Sequence, residues 1–137
     1  MNLQKRRLLM SNVSYDLIKK GLDVASIRQK SISSNIANIN TPNYKVNKVE
    51  FEKILADAVG NGKVTMKKTN DMHYGVERIE DIEPIVEKRK TTYVNDNGNN
   101  VDIDLEMTEL AANEIYYSTL VQQLNARLGN LSYVINK

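Results

Sequence analysis

Residues 103–135 place the strongest constraint on the fold. Ile103, Met107, Leu110, Tyr117, Val121, Leu124, Leu128, Leu131 and Ile135 follow one another at spacings of 4, 3, 7, 4, 3, 4, 3 and 4, with Glu114 in the skipped slot. A seven-residue apolar repeat keeps one narrow stripe of a helix turned toward a partner helix. A helix of roughly thirty residues is on the order of 45 Å long. Asp104, Glu106 and Glu109 put negative charge in its first turns, where the helix dipole favours it, so the helix starts at Asp102 or Asp104. Ala111, Ala112, Ala126 and Gly129 add small side chains on other faces.

A second stripe lies near the other end of the chain. Ile18, Leu22, Ala25, Ile32, Ile36 and Ile39 are spaced 4, 3, 7, 4 and 3, with Gln29 in the skipped slot. Beside it runs a line of small or polar residues, Leu17, Gly21, Val24, Arg28, Ser31 and Asn35. Small side chains let another helix come close, so this helix is suited to neighbours on more than one side. Periodicity by itself equally describes an ordinary amphipathic core helix. Residues 1–13, basic and then apolar, either extend the helix or fray from it.

The first helix has to stop in the stretch Ser34 to Lys45, SNIANINTPNYK. Asn38, Asn40 and Thr41 favour local side-chain-to-backbone bonds over helix. Pro42 lacks an N–H and pushes Thr41 out of the helical region. Asn43 tolerates positive φ, and Tyr44 can fold back as an anchor. The reading is a helix stop followed by a turn.

Between the helices the signals are weaker. Asn47 to Ala58 reads as a short helix, with Asn47 and Glu50 as a capping pair, Phe51, Ile54, Leu55 and Ala58 as its apolar face, and Gly60-Asn61-Gly62 as its end. Val64-Thr65-Met66 suits a strand, and Asn70 to Tyr74 a loop. Pro84 opens a second strand running to Val94. Asn95-Asp96-Asn97-Gly98 is a hairpin-type turn signal, since Asn-Gly accepts positive φ at both central positions.

Composition removes several classes of chemistry. With 137 residues the chain holds one domain, or one core with a small appendage. There is no Cys, which excludes disulfides, thiol catalysis and cysteine zinc sites, and the one His, His73, excludes a multi-histidine metal site. No serine nucleophile motif accompanies His73. Aligning Gly98 with the glycine of a calcium loop puts Tyr93 at the first ligand position, so capping explains the acids that follow. The 19 basic and 17 acidic residues nearly cancel, unlike a duplex-binding protein. Lys67-Lys68 and Lys88-Arg89-Lys90 suit a solvated face or a charged strand edge better than a nucleic-acid contact. No glycine-rich phosphate loop follows a strand. The apolar run after Lys5-Arg6-Arg7 is too short for a cleaved signal peptide, and no stretch is long enough to span a membrane.

SNIANINTPNYK resembles the signature Ser-Asn-Ile-Ala-Asn-x-Asn-Thr-Pro-Gly-Tyr of the rod and hook proteins of the bacterial flagellum. Residues 95–135 are similar to the C-terminal region of proximal rod members of that family. The likeness covers about 15–59 and 93–137, and Asn43 departs from the usual Gly. The resemblance implies a non-enzymatic subunit of the basal-body rod that needs no cofactor or metal. It implies export through the flagellar type III apparatus without a cleaved signal. It also implies self-association and contacts with other rod subunits, the rod–ring connector protein and the membrane ring, with no nucleic acid and no membrane span. By the same resemblance, Ser34, Asn35, Ile36, Ala37, Asn38, Asn40, Thr41, Pro42 and Tyr44 form the helix end and elbow. Asn99, Asn100, Val101, Asp102 and Asp104 form the lead-in to the last helix.

The fold expected is mainly α. Long N- and C-terminal helices pair as a coiled-coil-like core around a small mixed α/β or hairpin insert. The divisions are 1–45, helix and elbow; 46–100, insert; and 101–137, C-terminal helix. The assembly core comprises the stripe residues Ile18, Leu22, Ala25, Ile32, Ile36, Ile39, Met107, Leu110, Tyr117, Val121, Leu124, Leu128, Leu131 and Ile135. Two helices alone bury too little to offset their ordering, so neighbouring subunits complete the burial. A self-contained helical adaptor or scaffold is the alternative reading, and a nucleic-acid binder the third.

Overall fold

The computed structural model describes the backbone of residues 3–60, 82–89 and 97–136, with the side chains of 14–57 in the first of these segments. Five elements follow in order: α1 (Leu3–Ala37), β1 (Asn47–Glu50), α2 (Glu52–Gly60), β2 (Ile85–Lys88) and α3 (Ile103–Ile135). The fold is mainly helical, as the two stripes require. α1 and α3 run 35 and 33 residues and pack against each other. Residues 3–13 extend α1 rather than lying outside it.

Asp102 settles where α3 begins. Its Oδ1 accepts the N–H groups of Asp104 and Leu105 at 3.0 and 3.2 Å, closing two of the donors a helix start leaves open.

The insert corrects two expectations. Asn47 does not cap a helix; Asn47–Glu50 is a strand, paired antiparallel with Ile85–Lys88 in the register Asn47↔Lys88 to Glu50↔Ile85. The reason is a period of two. Val49 and Phe51 fall on one face and are buried, with Val24 of α1 and Ile82 beneath them and Ile27, Ile54 and Leu55 around them. The short helix therefore starts at Glu52, and Phe51 anchors its approach instead of riding on it. The second strand ends at Lys88, and its partner is β1 rather than a segment across the 95–98 turn. Asn97 and Gly98 form a bend with positive φ at Gly98 alone among them, and that bend packs on the elbow. Thr91–Val94, Val64–Met66, Asn70–Tyr74 and the Asn95-Asp96 half of the turn lie outside the described residues.

The candidate assembly site: elbow lock and helix seam

α1 ends by folding its last turn onto its own side chains. Asn38 N–H reaches the carbonyls of Ser34 and Asn35, and Asn38 Nδ2 donates to Ser34 O at 2.8 Å. Thr41 Oγ1 donates to Asn38 Oδ1 at 3.1 Å, and Asn43 takes φ of 59°, the left-handed conformation. The helix end leaves carbonyls without partners. Asn99, sixty residues on, supplies them: its Nδ2 lies 2.9 Å from the carbonyl oxygens of Asn38, Ile39 and Thr41. Its Oδ1 accepts Val101 N–H at 2.7 Å, so the fully buried amide uses both ends.

Further bonds run in parallel with this one. Asn43 N–H donates to Asn97 O at 3.0 Å, and Lys45 Nζ to Gly98 O at 2.6 Å. Asn100 Oδ1 accepts Val46 N–H at 2.8 Å while its Nδ2 donates to Arg89 O at 2.9 Å. The elbow and the lead-in to α3, two separate motifs in the sequence, form one hydrogen-bonded lock.

Asn35 is the hub between that lock and the helix pair. Its Oδ1 accepts Asn47 N–H at 2.9 Å and its Nδ2 donates to Asn47 O at 3.0 Å, so a side-chain amide imitates a strand neighbour. Tyr44 Oη donates to the same Oδ1 and receives bonds from Ser34 Oγ and Asn47 Nδ2. Across the seam Asn35 Nδ2 donates to Glu106 Oε2 at 2.9 Å.

The α1–α3 seam draws on both lines of α1. Every seventh residue of α3 meets α1 further back along it: Glu106 meets Asn35, Asn113 meets Ala25 and Gln29, and Leu120 meets Gly21. At Gly21 the approach is close, since a Cβ there would lie 2.9 Å from Leu120 Cδ1 and 3.2 Å from Tyr116 Oη. Asn113 Nδ2 donates to Ala25 O at 3.0 Å and Gln29 Oε1 at 3.1 Å, while its buried Oδ1 has no partner among the described residues. An unsatisfied buried carbonyl costs about 1–3 kcal/mol.

The proposed assembly-core residues divide into two groups. Ile18, Ala25 and Ile32 are buried, and Leu22, Ile36, Ile39, Leu110, Val121 and Leu124 are half-buried. Met107, Tyr117, Leu128, Leu131 and Ile135 are exposed, Ile135 by 79%. Of the elbow residues, Asn35 is buried, Ser34, Ile36, Asn38 and Tyr44 are half-buried, and Ala37, Asn40, Thr41 and Pro42 are exposed. Asn99, Asn100 and Val101 are buried, Asp102 is half-buried and Asp104 is exposed. Glu106 and Asn113 are seam residues that the apolar stripe passes over, and their signal is a second repeat of seven, 106–113–120, offset from the first; Gly21 belongs to the small line that the sequence marks for close approach.

Electrostatics single out one group. Glu106 is 3% exposed. Burial raises its carboxyl above the ordinary range; the bond from Asn35 and the charge of Arg89 oppose that, and Glu109 and Asp102 reinforce it. At Glu52, burial acts upward but the 2.6 Å pairing with Arg28 prevails and its carboxyl is lowered. Burial raises Tyr116, helped by Glu52. A cavity of about 320 Å³ between α1, β1 and the start of α3 is lined by Arg28, Glu52, Arg89, Glu106 and Glu109 among others, acids and bases interleaved. Among the described residues no cluster of three or more acidic or His side chains could hold a metal ion, and no helix is long and apolar enough to cross a membrane.

This geometry joins the end of one long helix to the start of another and leaves an apolar stripe outside. The family model described as flagella basal body rod protein matches residues 20–45, the second half of α1 and the elbow. The chain is 41% identical over 118 residues to the flagellar basal body rod protein FlgB of Bacillus subtilis, covering 86% of this chain and 89% of that one. It is 40% identical over 110 residues to FlgB of Borreliella burgdorferi, covering 76% and 82%. A more distant relative, FlgB of Aeromonas hydrophila, is 26% identical over 119 residues. The identity and extent of the first two similarities identify the chain as a member of the FlgB family of flagellar basal body rod proteins.

Proposed function

We propose that the chain is a structural subunit of the proximal basal-body rod and polymerises through α1 and α3. The observation that carries this reading is the face of α3 that α1 leaves open. Met107, Tyr117, Leu128, Leu131 and Ile135 keep a heptad-spaced apolar stripe about half exposed or more. A stripe of that regularity has a helical partner, and within the described residues α3 packs on α1 along a line beside this stripe, leaving these five residues exposed. From Ile115 to Asn136 the helix carries a single charge, Arg127, and depletion of charge marks the core of an interface.

The stripe residues form the assembly core, the elbow sets the angle between α1 and the insert, and residues 99–104 fix the start of α3. The role is that of an axial element, and no residue is assigned a bond-making step. The contacts include further copies of this chain, other rod subunits, the rod–ring connector and the membrane ring. The chain reaches them through the flagellar type III export apparatus without a cleaved signal, and its place is the basal body. The test is deletion of the gene followed by electron microscopy of basal bodies. Loss of the rod, restored by the wild-type chain, is the expected result; intact rods in the deletion strain overturn the reading.

A further inference from the structure

We infer that Asn97–Gly98 is a site of spontaneous covalent modification, at which the Gly98 backbone nitrogen attacks the Asn97 side-chain amide and the product opens the elbow lock.

Three features of the bend favour the attack. Asn97 Oδ1 accepts Asn99 N–H at 3.1 Å. That oxygen is where negative charge develops when a nucleophile adds to Cγ, and a donor already aimed at it stabilises the addition. Gly98 bears no side chain beside the attacking nitrogen. None could fit, because a Cβ there would lie 2.5 Å from Asn43 Oδ1 and φ is +77°. Asn97 is exposed to water and to solvent base. Nucleophile and electrophile are neighbours in one chain, so the encounter is intramolecular.

The chemistry balances without an oxidant or reductant. Solvent base takes the proton from Gly98 N, and the nitrogen bonds to Asn97 Cγ. The bond from Cγ to the amide nitrogen breaks, and ammonia leaves with that proton. The five-membered imide then takes up water at one of its two carbonyls and opens to aspartate or isoaspartate. Isoaspartate routes the backbone through the former side chain and lengthens it by one methylene. The stretch affected is the one that holds the lock: Asn97 O accepts from Asn43, Gly98 O from Lys45, and Asn99 follows at once. The added methylene displaces Asn99 from the carbonyls of Asn38, Ile39 and Thr41.

The chain carries its own comparators. Asn125 and Asn130 lie exposed within α3, and the N–H groups of Ala126 and Leu131 that follow them sit inside the helix. The experiment incubates the purified full chain at mildly alkaline pH and physiological temperature. Peptide mapping by mass spectrometry follows the one-dalton gain, and enzymatic methylation detects isoaspartate. Asn97 is expected to convert at least about tenfold faster than Asn125 or Asn130. The chain modified at Asn97, separated by its extra negative charge and told apart by peptide mapping from any modified at Asn61, which also precedes a glycine, is expected to melt below the unmodified one. Asn97→Ser keeps an oxygen for the Asn99 N–H but cannot form the imide, and is expected to hold its melting temperature through the same incubation. Conversion no faster at Asn97 than at the helical asparagines overturns the site. Conversion that leaves the melting temperature unchanged overturns its effect on the lock. Neither readout involves rod assembly, so both stand apart from the proposed role.

Discussion

Asn35 of α1 donates to Glu106 of α3 at 2.9 Å across 71 residues of sequence, and both side chains are buried. The carboxyl is thereby tied to the residue that also pairs with the Asn47 backbone, so one bond joins α1, α3 and β1. Its pKa is raised by burial, which gives stability a defined pH dependence. In the unfolded chain Glu106 titrates near the ordinary value of about 4.3. Between that value and the raised folded one, the folded chain holds more protons, so stability falls as pH rises through the window. Glu106→Gln keeps an acceptor for Asn35 and removes the ionisation. It is expected to raise stability at neutral pH by on the order of 1 kcal/mol, a few degrees in Tm. It also flattens the acid side of a Tm-against-pH series, and an unchanged series refutes the assignment.

Asn99 gives the sharpest test of the lock. Asn99→Ala leaves three carbonyls facing a void and is expected to cost about 2–4 kcal/mol in urea unfolding. Asn99→Asp replaces the donor with acceptors opposite those carbonyls and is expected to cost more. Equal losses, or a loss below about 1 kcal/mol, would show that water replaces the amide.

Gly21 sets the distance between the helices. In Gly21→Ala the new Cβ meets only the ends of the Leu120 and Tyr116 side chains. Relief of glycine entropy, about 0.5–1 kcal/mol, works against the crowding, and the net change is expected within about 0.5 kcal/mol. Gly21→Leu has no room and is expected to lose about 1–3 kcal/mol. Thermal melts of the two variants measure the difference.

Leu131 and Ile135 separate folding from assembly. Both are exposed, by 50% and 79%. Leu131→Glu and Ile135→Glu are expected to change monomer stability by less than about 0.5 kcal/mol while abolishing motility and rods. Retained rods would show that this end of α3 stays at the surface.

Pro42 is exposed at the elbow. Pro42→Ala is expected to leave the monomer soluble and folded, with melting within a few degrees of wild type, and to reduce the number of complete rods. Normal rods would make the rigid turn dispensable.

The heptad stripes of both helices and the stop at Pro42 were legible because backbone sterics and apolar periodicity are local properties. The strand at Asn47 was not. Its four residues carry a good capping pair for a helix, and what overrides it is Asn35, twelve residues away, offering its amide to the Asn47 backbone. The seam was half legible. The stripe residues Ile18, Ala25 and Ile32 are buried, but α3 turns Glu106 and Asn113 toward α1 and its apolar stripe partly outward. Apolar periodicity alone points the whole stripe at the nearest partner, whereas α1 meets Glu106, Asn113 and Leu120 while Met107, Tyr117, Leu128, Leu131 and Ile135 stay exposed. The docking of Asn99 on the elbow joins positions some sixty apart, a separation no local pattern encodes.

That docking has a topological consequence. By fastening residue 99 to residues 38–41, the chain closes everything between them into a loop whose ends are already held together. Lengthening a loop between anchored elements costs only closure entropy, about 0.6 kcal/mol for each doubling. The anchored part of this loop is fastened to the axis: Val49, Phe51 and Ile82 share one core with Val24 of α1, and Asn35 holds the Asn47 backbone, so the two strands travel with α1 as one body.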